Sequence, residues 1–152
     1  MTLLSKFLRL PFREKRGLVE SFSLMLIFRA GLHLLPFRTL CRWLKRIETP
    51  GGPPLSRERD KVAAIARSIG RANKLLGWRD DCLPQALTAC LLMKRQGLAA
   101  NLRIGVKNGS DGQLRAHAWV EHNGDIVVGG IGPNLQSYTP LTALTGLERV
   151  IL

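Results

Sequence analysis

A chain of 152 residues with 23 Lys and Arg against 11 Asp and Glu carries a formal charge of +12. That length suits one compact unit with a helical appendage, and a hydrophobic share of 45% excludes a disordered chain. The charge favours acidic partners or an anionic membrane surface, whereas nucleic acid is disfavoured by the lack of zinc-finger spacing, aromatic-basic RNA signature or long basic run. Cys41, Cys82 and Cys90 are an odd, sparse set without CxxC spacing. They exclude a disulfide framework and a structural zinc site, fit a reducing cytoplasm, and leave no cofactor to expect.

Pro11, Pro36 and the run Thr49-Pro50-Gly51-Gly52-Pro53-Pro54 divide the first third, because proline cannot continue a helix interior. Helices are expected near Thr2–Leu10, Glu14–Leu35 and Phe37–Ile47. The apolar stretch Phe22–Phe37 is interrupted by Arg29, Gly31 and His33 and has no small-residue cleavage site. It falls short of the ~20 residues of a bilayer crossing, so a buried or interfacial helix is expected rather than a span or a signal peptide. The organisation is read as a helical N-terminal segment over 1–48, a Pro/Gly joint over 49–55 and a core over 56–152, with no internal repeat.

From Arg57, the positions Val62, Ile65, Ala66, Ile69, Ala72 and Leu76 fall at helical spacing, with Ser56 placed to cap the start and Gly77 the end. The polar link Trp78-Arg79-Asp80-Asp81 leads to Cys82, which opens a second helical pattern that runs over Leu83–Gln96 to Gly97. The period then changes to two. Leu102, Ile104 and Val106 share a strand face, and the turn-rich stretch Asn108–Gly112 follows. In the next strand Leu114, Ala116, Ala118 and Val120 alternate with Arg115, His117, Trp119 and Glu121. Asn123-Gly124 predicts a hairpin returning as Asp125–Val128, and Thr139–Leu152 reads as a short helix or strand with Leu141, Leu144 and Leu147 inward.

A thiol attacks as the thiolate, which a helix N-terminus favours, so Cys82 is the candidate nucleophile, while Cys90, deeper in the same helix, reads as a core residue. His117 lies about 35 residues later on a strand. A nucleophile at a helix start facing a base on a following strand is the arrangement of papain-like and transglutaminase-like enzymes. His33 and His122 receive no catalytic role.

Two segments sharpen this reading: Asp81-Cys82-Leu83-Pro84-Gln85-Ala86-Leu87 and Ala116-His117-Ala118-Trp119-Val120-Glu121, with Ile104-Gly105-Val106 between them. In this order and spacing they resemble the lasso-peptide leader peptidase family, the transglutaminase-like carboxy-terminal domain of microcin J25-type processing proteins. The likeness covers roughly Lys61–Val128, and a helical N-terminal third is in keeping with it. It implies an α+β fold, with a nucleophile helix packed on an antiparallel sheet, and hydrolysis of one bond between a precursor's leader and its core. Cys82 would attack, and His117 would act first as base and then as acid. It also implies a separate leader-binding (recognition-element) protein and a macrolactam-forming cyclase as partners.

The pattern departs at the third catalytic group. The family expects an acid about a dozen residues past the histidine, where this chain has Gly129 and Gly130. Asp125 is the only carboxylate on the returning strand, yet a two-residue turn places it five residues from the position opposite His117, about 16 Å at ~3.3 Å per residue. Asp125, Asp111 and Asn134 stay open as the orienting group. The backbone N–H of Cys82 is the natural first oxyanion donor, Trp78 and Trp119 are candidates to line a substrate groove, and Arg67, Arg71, Lys74 and Arg79 are placed to attract an acidic leader. Two rival readings remain. One is acyl transfer to an amine by the same Cys and His. The other is a non-catalytic basic module docking a membrane or partner through Arg13, Lys15, Arg16, Arg38, Arg42, Lys45 and Arg46.

Overall fold

Proline sets the limits of the first two helices in the computed structural model, which describes residues 9–47, 55–78, 81–130 and 135–140. Helix α1 (Phe12–Leu34) starts directly after Pro11, two residues before the expected Glu14, and α2 (Phe37–Arg46) starts directly after Pro36. Leu35, ahead of Pro36, is extended at φ −127° and ψ 145°, because the proline ring disfavours the helical conformation in the residue before it. Most of the helix expected over Thr2–Leu10, the Pro/Gly run and the tail beyond Pro140 lie outside the described residues.

Helix α3 (Leu55–Leu76) closes at Gly77, whose φ of +66° and N–H to Asn73 carbonyl bond of 3.0 Å make it the expected cap. Ser56 falls one residue inside the helix rather than ahead of it. Helix α4 (Cys82–Arg95) ends at Gly97, φ +74°, with the Leu98 N–H bonded to the Met93 carbonyl at 2.9 Å. The strands β1 (Asn101–Asn108), β2 (Leu114–His122), β3 (Asp125–Val128) and β4 (Thr139–Pro140) form one antiparallel sheet in the order β3-β2-β1-β4. The result is the α+β architecture expected from the sequence. Asn123 and Gly124 make the anticipated two-residue turn with φ of +50° and +90°, the left-handed pair that a tight hairpin requires. A bulge between Val120 and Glu121 then shifts the β2–β3 register, which runs His122↔Asp125, Glu121↔Ile126, Val120↔Val128.

Helix α4 is the centre of the core. Ala86, Leu87, Ala89, Cys90 and Leu91 are fully buried in one cluster with Leu102, Ala118 and Val120 from the sheet and Ile65, Ile69 and Ala72 from α3. Leu18, Met25 and Phe28 of α1 enter that same cluster. Glu14 pairs with Arg71 of α3 at 2.5 Å, Glu20 with Arg95 of α4 at 3.2 Å, and the buried Ser21 hydroxyl lies 2.7 Å from Ser68. Ser68 donates to the Ile65 carbonyl at 2.8 Å, so Ser21 is the donor in the pair and both hydroxyls are satisfied. Helix α2 joins through Leu44, whose carbonyl accepts from the Lys94 ammonium at 3.1 Å.

Among the described residues α1 is the one helix long and apolar enough to cross a membrane. It exceeds the apolar stretch read from the sequence because the helix begins at Phe12, ten residues before Phe22. Its core face is engaged, while Phe12, Val19, Ile27 and Leu34 stay exposed on the other side.

Because Met25 is fully buried between α1 and the core, Met25→Ala is expected to lower unfolding free energy by about 2–5 kcal/mol, measured by urea denaturation. A loss under about 1 kcal/mol would show α1 to be loosely attached.

Candidate active site

Cys82 is the first residue of α4 and is half-buried. Its place depends on the link before it. Asp81 occupies the cap position, and its carbonyl accepts from the Gln85 side-chain amide at 3.2 Å. Pro84 fits this first turn because its missing N–H has no intrahelical acceptor there. Arg29, from the C-terminal part of α1, pairs with the Asp81 carboxylate and lies over the Trp78 ring at 4.3 Å. Ion pair and cation–π contact together brace the residues leading into Cys82. The sequence signal for Arg29 was only a lone cation interrupting an apolar stretch, a position that must find a partner when one side of the helix is buried.

The sulfur is docked on the sheet. The backbone N–H of Ala118 donates to Cys82 Sγ at 3.3 Å. This amide is open to it because β3 pairs only with Val120, Glu121 and His122 of β2, leaving the earlier part of that edge without a strand neighbour. His117 is the adjacent residue, so the helix start and the strand histidine are held within one residue of each other along β2.

His117 Nε2 lies 2.6 Å from the carbonyl oxygen of Gly129. A carbonyl only accepts, so in the neutral ring Nε2 carries the proton and Nδ1 is left as the basic nitrogen. The ring stacks on Trp119 with centroids 6.2 Å apart and planes at 19°, and meets the Tyr138 ring at 5.6 Å. Trp119 is fixed in turn: its indole N–H donates to Glu121 Oε1 at 2.9 Å, and Glu121 Oε2 pairs with Arg103 at 3.0 Å. Gly105 makes room for this stack, since a Cβ there would lie 2.8 Å from Tyr138 Cβ and 3.1 Å from the indole.

The structure seats the Cys82 sulfur on the residue next to His117 in β2 and places the other candidates elsewhere. Asp125 pairs in register with His122 and lines a cleft with Glu58 and Arg59, away from the imidazole. His122, for which the sequence suggested no role, is nearly buried between the Ala99 carbonyl at 2.7 Å and Glu58 at 3.1 Å. Asp111 accepts from the Gln113 N–H and from Arg115, each at 3.1 Å, and these bonds hold its carboxyl below the usual range. Asn134 and Arg79 lie outside the described residues. Trp78 belongs to the Arg29 brace, and the nearly buried Trp119 forms a wall behind His117, not an open groove. The Cys82 N–H, at the first helical position, is among the amides with no intrahelical acceptor and is available to an oxyanion. Arg71 is taken by Glu14, and Arg67 lines a cleft between α1 and α3 with Arg13 and Arg16.

The other thiols are shut in. Burial pushes Cys90 up to about 12, so it remains protonated throughout the ordinary pH range, and Cys41 is also buried. Iodoacetamide at about pH 8 is therefore expected to modify Cys82 in the folded chain while Cys90 reacts only after denaturation, read by peptide mass mapping. Equal labelling of Cys90 in the folded protein would contradict this packing.

The transglutaminase-like superfamily profile matches residues 24–143, from the middle of α1 through Cys82 and His117 to just beyond β4. No curated protein and no solved structure matches the chain. With most of its length matched, the chain belongs to the transglutaminase-like superfamily.

Proposed function

We propose that this protein is a cysteine peptidase that removes the leader from a ribosomally made lasso-peptide precursor. The observation that carries the chemistry is the Cys82 sulfur held on the Ala118 amide, one residue along β2 from His117, whose Nε2 is engaged by the Gly129 carbonyl so that Nδ1 is the nitrogen left to act as base. The superfamily covers both cysteine peptidases and acyltransferases. The motif pair around Cys82 and His117 is what supports leader removal within it.

The sulfur attacks the carbonyl carbon of the scissile bond as His117 Nδ1 takes the thiol proton. The resulting oxyanion is met by the Cys82 N–H at the positive end of α4. Collapse breaks the C–N bond, the imidazolium gives its proton to the leaving nitrogen, and the core peptide departs with a free amine. A thioester joins the leader to Cys82. Water, deprotonated by His117, attacks that thioester, the C–S bond breaks, and the leader leaves as a carboxylate with the thiol restored. If an amine takes the place of water, the same intermediate gives acyl transfer. In this reading a separate leader-binding protein presents the precursor and a cyclase uses the released amine, all in a reducing cytoplasm.

The test is mass spectrometry of a lasso precursor incubated with its leader-binding protein and this chain. Cleavage at one bond is expected, with Cys82→Ala and His117→Ala each lowering the rate by about 10³-fold or more and Asp125→Asn leaving it unchanged. Intact precursor with wild type would overturn the peptidase reading, and a leader–amine conjugate would replace it with acyl transfer.

A further inference from the structure

We propose that the backbone carbonyl of Gly129 is the third member of the catalytic group, standing where a side-chain acid would orient the histidine. It accepts from His117 Nε2 at 2.6 Å. Gly129 has φ +85°, and a Cβ at this position would lie 2.6 Å from the Ala118 carbonyl oxygen and 2.9 Å from Trp119 Cα. Both facts exclude an L side chain, so no carboxylate can be mounted on residue 129 without moving β2. The bulge between Val120 and Glu121 and the left-handed glycine carry the chain off the sheet edge, and its peptide oxygen meets the imidazole directly.

Chemically, a peptide carbonyl is the same acceptor as a side-chain amide, and it selects the same tautomer. It fixes the ring without adding a negative charge. Gly129 is therefore a positioning residue, acting through His117 and not on the substrate. The kinetic consequence rests on the peptidase reading; the hydrogen bond does not.

Long-range ¹H–¹⁵N spectra of the full chain test the hydrogen bond without substrate. Neutral His117 is expected to carry its proton on Nε2 and to exchange it far more slowly than exposed His33. A proton on Nδ1, or exchange as fast as that of His33, would overturn the proposal. Gly129→Ala is expected to lose the protected signal and to lower kcat on the precursor about tenfold or more with KM little changed. Gly70→Ala is the control, because Gly70 is exposed within α3, has no positive φ and has nothing within 4 Å of the added Cβ, and it should keep both properties. A folded Gly129→Ala protein that retained the signal and the turnover would contradict the assignment. If that variant does not fold, the wild-type spectrum decides alone, and failure of wild type to cleave any precursor would count against the peptidase reading only.

A separate observation carries a second inference. Phe12, Val19, Leu26, Ile27 and Leu34 are exposed along α1, on the side opposite Leu18, Met25 and Phe28. The helix is thus apolar on two faces, of which the core covers one. Up to Ile47 the sequence has ten Lys and Arg against two Glu, a surplus of eight, and both glutamates are paired, with Arg71 of α3 and Arg95 of α4. Half-exposed Trp43 on α2, which packs edge-on against Phe28 of α1, stands among the exposed Arg42 and Arg46.

An apolar stripe about 34 Å long at ~1.5 Å per residue, on a helix that also carries the exposed Arg13 and Arg16, has the composition of a helix lying in a bilayer interface. We infer that this face rests on an anionic lipid surface, with α1 in the membrane plane and its core face still engaged. Co-sedimentation of the full chain with phosphatidylcholine vesicles, with and without phosphatidylglycerol, tests it. Binding only to the anionic vesicles is expected, weakening with salt and lost in the double variant Ile27→Glu, Leu34→Glu. No binding, or equal binding to neutral vesicles, would overturn it. So would a soluble dimer abolished by the double variant, which would make the face a contact between two copies.

Discussion

The hydrogen bond from the Ala118 amide to the Cys82 sulfur is the constraint on which the rest of the site depends. It requires a strand edge with a free amide, and β2 has one because β3 pairs with only its last three residues. It also requires α4 to begin at Cys82, not a turn earlier or later. The buried Ala86–Leu91 segment fixes the helix against the sheet, and the Arg29–Asp81–Trp78 brace fixes the residues that lead into it. His117 then follows from register alone, being the residue before Ala118.

The same geometry explains how α1 is built into the core around α4. It supplies Arg29 to the link before Cys82 and Leu18, Met25 and Phe28 to the core, and its two glutamates pair with α3 and α4. Arg29 and Asp81 are each partly exposed, so their pair positions the link more than it stabilises the fold. Burial of apolar surface around α4 supplies the stability. The exposed side of α1 is a different matter, because a second apolar face contributes nothing to folding in water and calls for a partner outside the chain.

Much of this was legible in the sequence. The helical spacing of Val62 to Leu76, the alternation around His117, and the Asn-Gly turn each specify a local structure that tertiary packing did not override. Cys82 was placed at a helix start by the polar link before it and the apolar period after it. The proposed orienting group for His117 was not legible. Sequence reading looks for a side chain, and here a main-chain oxygen occupies the position, delivered by a bulge that one residue of register creates. Glycine at 129 looked like a missing acid, whereas its φ and the contact with Ala118 make it a requirement of the backbone. Arg29 was equally silent, because its partners lie 52 and 49 positions away in the chain and only the fold brings them together.

The most direct measurement is amide hydrogen exchange at Ala118 in the wild-type chain and in Cys82→Ala. The docked sulfur predicts a protected Ala118 amide in the wild type that exchanges markedly faster in the variant, while neighbouring Val120 is unchanged. Equal exchange at Ala118 in the two proteins would mean that the sulfur does not rest on β2, and the placement of Cys82 beside His117 would fail with it.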